Sequence, residues 1–94
     1  MSYSLEGRNA IITGASRGLG YAIARAYIEA GANILICARN KNELYQSRKE
    51  LEKIACKGII IECQTADVSK PQDISLIMNR AMRIFPELHI LVNN

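Results

Sequence analysis

The chain alternates short apolar runs with longer stretches in which apolar residues recur every three or four positions. Asn9 to Thr13 (Asn-Ala-Ile-Ile-Thr) is a β-branched run that ends abruptly at Gly14, the pattern of a strand buried on both faces of a parallel sheet. Beyond the glycines, Leu19, Ala22, Ile23, Ala26, Tyr27 and Ala30 keep helical spacing and predict a first helix with one apolar stripe, stopped at Gly31. Asn33 to Cys37 predicts a second buried strand, and Asn40 followed by Glu43 has the form of a capping box opening a second helix that runs to about Ala55. Gly58 ends that helix, and Ile59, Ile60 and Ile61 in succession predict a third strand over Gly58 to Gln64, too apolar to have a wet face. Ser69 and Gln72 form another candidate capping box, with Pro71 in the first turn of a third helix. Ile74, Ile77, Met78, Ala81, Met82 and Phe85 share one face of it. Pro86 stops it, and Leu88 to Val92 predicts a fourth strand.

Strands alternating with helices across short connections specify an α/β fold: a parallel sheet with right-handed helical crossovers. A dinucleotide-binding half-fold orders such strands 3-2-1-4, and the ligand then sits beyond their carboxyl ends where the order reverses, between strands 1 and 4. The glycines, Asp67 and the terminal Asn93 and Asn94 all fall at that edge. Residues 1–94 are expected to form one incomplete domain, because a chain this short buries only about 60 to 65% of its unfolded surface.

Composition narrows the function without naming it. The chain is 49% hydrophobic and 22% charged, with no biased tract, as expected of a folded protein and not of a disordered tail. Its +3 charge is spread along the chain, which does not argue for nucleic acid and leaves a small anion as the expected kind of charged ligand. Cys37, Cys56 and Cys63 are odd in number and form no C-x-x-C, so neither a disulfide framework nor a zinc site is expected, and a reducing cytoplasm fits best. The N-terminal Met-Ser-Tyr-Ser-Leu-Glu-Gly-Arg has no apolar signal core, and no run approaches the roughly 20 apolar residues of a membrane helix.

The strongest chemical signal is Thr13-Gly14-Ala15-Ser16-Arg17-Gly18-Leu19-Gly20, a glycine turn joining a strand to a helix. Gly14 allows a sharp turn at the strand end, Gly18 lets backbone N–H groups and the helix N-terminus approach a pyrophosphate, and Gly20 allows the helix to pack closely on the sheet. The spacing G-x-x-x-G-x-G is not that of the general dinucleotide fingerprint. Nor does a Lys-Ser or Lys-Thr follow, which disfavours a nucleotide triphosphatase. A glycine turn used only for packing is the bland alternative.

Four motifs in order, TGASRGLG, CARN after strand 2, ADVS after strand 3 and LVNN at the end, resemble the N-terminal, Rossmann-type part of a short-chain dehydrogenase/reductase over essentially all 94 residues. Within that family the glycine spacing is similar to that of the single-domain alcohol dehydrogenases and 3-oxoacyl-carrier-protein reductases. The resemblance implies a dinucleotide cofactor on Gly14, Ser16, Arg17, Gly18, Leu19 and Gly20. It implies an adenine contact from Asp67 and Val68, and a cofactor-facing Asn94. Asp67 can alternatively satisfy only the turn before helix 3, and Asn94 can fray. An NAD site carries a carboxylate at the end of strand 2, for the ribose 2'-hydroxyl. This chain has Cys37-Ala38-Arg39 there, so NADP(H) is expected over NAD(H), with Arg39 and Arg17 pairing the 2'-phosphate and no competing carboxylate.

Reduction of a carbonyl in the family uses a Ser, a Tyr and a Lys that lie beyond LVNN, so no catalytic residue is assigned here. Tyr45 and Lys49 mimic that Tyr-x-x-x-Lys but belong to helix 2, on the adenosine side, where Tyr45 is expected to pack at an edge and Arg48, Lys49, Lys53 and Lys57 to form a wet basic face. His89 at a strand start and the three cysteines are expected to be structural, and no metal-ligand cluster exists. The leading expectation is the NADP(H)-binding segment of an oxidoreductase that acts on a carbonyl or alcohol and is homo-oligomeric at full length, with these 94 residues inactive alone. The alternatives are a non-catalytic module completed by a partner that pairs with strand 4, or an inactive remnant.

Overall fold

β-Branched and leucine side chains crowd the two central strands because both faces of the sheet are covered there. The computed structural model describes residues 4–94; Met1, Ser2 and Tyr3, part of the N-terminal stretch read above for a signal core, lie outside the described residues. The elements are β1 (Asn9–Thr13), α1 (Gly18–Glu29), β2 (Asn33–Ala38), α2 (Lys41–Ile54), β3 (Ile61–Thr65), α3 (Pro71–Ile84) and β4 (Ile90–Val92). All strands are parallel and their order is β3-β2-β1-β4, the order expected from the sequence.

Alternation along β1 and β2 splits the core into two layers. Ala10, Ile12, Ile34 and Ile36 face α1 and α2, meeting Ala24, Ile28, Leu44 and Leu51. Ile11, Leu35 and Cys37 face the other way and meet Ile77 and Ala81 of α3 and Phe85 at its C-cap. Asparagines pin the amino ends of the strands. Asn33 Nδ2 donates to Asn9 Oδ1 at 3.0 Å, and Ile60 N–H donates to Asn33 Oδ1 at 2.8 Å. His89 is structural, as expected: its Nδ1 accepts from Asn9 N–H at 3.0 Å while its own N–H donates to Asn9 O.

Several expectations need correction. The third strand begins at Ile61 and not at Gly58, because Gly58 turns at φ +94° and the Asn33 side chain takes the Ile60 N–H. It is not fully buried, since β3 is an edge strand in which Ile61 is buried and Glu62 to Thr65 are only half-buried. The cap of α3 is Lys70, with no side-chain bond; Ser69 instead donates N–H and Oγ to Asp67 Oδ1, at 2.9 and 2.7 Å, so no capping box forms. Ile74, Met78 and Met82 lie exposed, leaving Ile77, Ala81 and Phe85 as the buried stripe. Arg48 is not a free solvated charge: it pairs with Glu52 at 2.9 Å and Glu62 at 2.8 Å.

Candidate functional site

A cleft of about 790 Å³ opens at the carboxyl edge of the sheet, over the loops that follow β1, β2 and β3, and Asn94 after β4 joins its lining. Gly14, Ser16 and Arg17 bring the glycine turn into it. Ala15 N–H donates to Cys37 O at 3.1 Å, tying the turn to the end of β2. Ser47 of α2 is buried, and its hydroxyl reaches Ser16 O at 2.7 Å and Glu43 O at 3.0 Å. From β4, Asn94 N–H donates to Thr13 Oγ1 at 3.1 Å and Asn94 Nδ2 to Gly14 O at 3.2 Å, while Thr13 Oγ1 donates toward Asn93 Oδ1 at 3.3 Å. Asn94 is therefore fastened to the turn.

Gly14 and Gly18 both sit in the left-handed region, at φ +61° and +62°. A Cβ on Gly18 would meet nothing within 4 Å, so this position faces open space. Gly20 differs, because a Cβ there would strike the carbonyl of Gly14 and the Asn94 amide. Its bareness lets the turn fold back on α1, a closer approach than the packing of helix on sheet read from the sequence. Arg17 is the N-cap of α1 with no side-chain bond, so the first N–H groups of the helix are free to meet an anion.

Among the sequence-predicted residues, Gly14, Ser16, Arg17, Arg39, Asp67, Val68 and Asn94 line this one cleft. Gly18, Leu19 and Gly20 do not line it. Leu19 is 69% exposed on the outer side of α1, and Gly20 is buried behind the turn. Asp67 serves the turn through Oδ1, while among the described residues Oδ2 accepts nothing. Hydrogen bonds from Ser69, with a smaller effect of the Arg39 cation, hold the Asp67 carboxyl below its usual range. Arg39 is exposed at the end of β2.

Two residues that sequence reasoning passed over also belong here. Glu43, on the first turn of α2, lines the cleft and stands 3.8 Å from Arg17, so a competing carboxylate is present after all. It was visible in the sequence only as a capping residue; Asn40 Oδ1 does accept from Glu43 N–H, at 3.0 Å. Ser47 gave no signal, since a serine inside a helix ordinarily faces solvent or its own i−4 carbonyl. Tyr45 and Lys49 stay outside the cleft; Lys41 Nζ lies 5.5 Å from the Tyr45 ring centroid, on the outside of α2. Among the described residues no group of three His, Cys, Asp or Glu could hold a metal, and no helix is long and apolar enough to cross a membrane.

Known proteins share this fold. A curated short chain dehydrogenase/reductase, dpfgG of Gibberella zeae, is 36% identical over 91 residues, covering 97% of this chain and 32% of its own length. A tropinone reductase homolog from Datura stramonium is 36% identical over 93 residues, covering 98% of this chain and 34% of its own. The crystal structure of L-sorbose reductase from Gluconobacter frateurii, complexed with NADPH and L-sorbose, superimposes with a TM-score of 0.93 at 31% identity, over 100% of this chain and 35% of that one. The chain thus spans about a third of the length of these relatives. The family model for short chain dehydrogenases matches residues 8–94, and the chain belongs to that family of oxidoreductases.

Proposed function

We propose that this chain is the NADP(H)-binding N-terminal segment of a short-chain dehydrogenase that transfers hydride between NADP(H) and a carbonyl or alcohol. The observation that carries this reading is the convergence on one cleft of the glycine turn, two arginines, the free oxygen of Asp67 and Asn94. The free N–H groups at the start of α1 and the open face of Gly18 suit a pyrophosphate. Arg39 and Arg17 suit a 2'-phosphate, and the NADPH complex of L-sorbose reductase supports that choice. Bound NADPH would supply the hydride; these residues bind and orient it, and the proton comes from the Tyr and Lys that the family resemblance places beyond Asn94. The 94 residues alone are then a binding unit without an acid/base.

Three unpaired cysteines suit a cytoplasmic setting, and a homo-oligomeric full-length enzyme fits the same reading. Calorimetric titration of the chain with NADPH and NADH tests the proposal. Saturable binding with NADPH preferred, and loss of that preference in Arg39→Asp, is the expected result; equal affinities unaffected by Arg39→Asp would refute the cofactor assignment.

A further inference from the structure

Four charged side chains line the cleft, Arg17, Arg39, Glu43 and Asp67, and their formal charges cancel. A site shaped for a dianionic 2'-phosphate gains from net positive charge, so the two carboxylates need accounting for. Asp67 is engaged by Ser69 in the turn before α3. Glu43 has no such commitment. It enters from α2, its backbone fixed by the Asn40 cap and its carboxylate favoured by the helix N-terminus, and its Oε1 lies 3.8 Å from Arg17 Nη1. Arg17 is otherwise loose, with 83% of its side chain exposed.

We propose that Glu43 is a specificity-determining residue of the dinucleotide cleft: its carboxylate competes with a cofactor 2'-phosphate for Arg17. With a ligand lacking that phosphate, Arg17 stays on Glu43. A ligand carrying it must draw Arg17 away from Glu43, so Glu43 narrows the margin by which NADP(H) is preferred over NAD(H). This inference rests on the dinucleotide reading above and adds to it a residue that works against the arginines.

The test is a double-mutant cycle on the 94-residue chain with NADPH and NADH as probes. Glu43→Gln keeps the side-chain shape and an N3 residue suited to the capping position, and unchanged circular dichroism checks the helix. NADPH should bind Glu43→Gln about two- to five-fold more tightly than it binds the parent, the scale of one exposed ion pair. NADH affinity should not change, the gain should disappear in an Arg17→Leu background, and it should shrink as salt rises. NADPH and NADH responding alike to Glu43→Gln, or a gain that persists without Arg17, would overturn the role of Glu43 while leaving the dinucleotide site standing. Failure of the parent chain to bind either cofactor would overturn the site itself, and the role of Glu43 with it.

Discussion

Gly18 and Gly20, two residues apart, are bare for different reasons, and substitution separates them. Gly18 needs its positive φ and faces open space, so Gly18→Ala should cost about 1 kcal/mol of stability yet weaken NADPH binding at least about tenfold. Gly20→Ala drives a methyl into the Gly14 carbonyl and should cost about 2 to 3 kcal/mol, measured by urea denaturation. Ser47→Ala leaves the Ser16 carbonyl without its partner; we expect about 1 to 2 kcal/mol of destabilisation together with weaker NADPH binding, and unchanged affinity would show that the tether does not position the turn. Cys37 is a pH marker: burial, reinforced by Cys63, pushes its thiol up to about 12. An unfolded thiol titrates near about 8.5, so between that pH and about 12 the unfolded chain releases a proton that the folded chain keeps. Stability from this source is complete below that window and falls as pH rises through it. The pH dependence of the unfolding midpoint should flatten there in Cys37→Ala, with Cys63 and Tyr21, also raised by burial, supplying the remaining slope.

At the scale of elements, legibility followed local chemistry. β1 was readable to the residue because its apolar run is bounded by a polar residue and a glycine, and the Asn40 cap of α2 matched a pattern only four residues long. Errors came where a side chain bonded across the sheet or to a distant turn. Asn33 displaced the start of β3 by capturing Ile60 N–H, a contact 27 residues apart. Ser69 was diverted to Asp67, and Asp73 Oδ2 took Asp67 N–H at 2.8 Å, so the entry to α3 is held from the preceding turn and not by a capping box. Arg48 and Arg80, on helices packed against opposite faces, meet the two oxygens of Glu62 at 2.8 and 3.2 Å on the edge strand β3. Glu62→Ala should therefore loosen both layers at once, by about 1 kcal/mol given the partial exposure of the cluster, with an effect that diminishes in high salt. Sequence periodicity carries no information on such a clamp.

Across the described residues β4 is an edge strand of the sheet, and Leu91 and, on α3, Met82 (76% exposed) are exposed. The lining of the cleft was legible at Gly14, Arg39, Asp67 and Asn94 because each follows closely on a strand end, where topology alone decides position. Glu43 and Ser47 were not, because which side of α2 meets the glycine turn depends on how α1 and α2 pack together on one face. In the function proposed above, a dinucleotide occupies the cleft between the glycine turn and the loops after β2 and β3. Amide hydrogen exchange with and without saturating NADPH is the experiment that locates it. Protection is expected to be confined to Gly14–Gly20, Ala38–Asn40 and Ala66–Ser69, with the β3 edge around Ile60 unaffected. Protection centred elsewhere, or none at concentrations where NADPH binding is saturated, would contradict it.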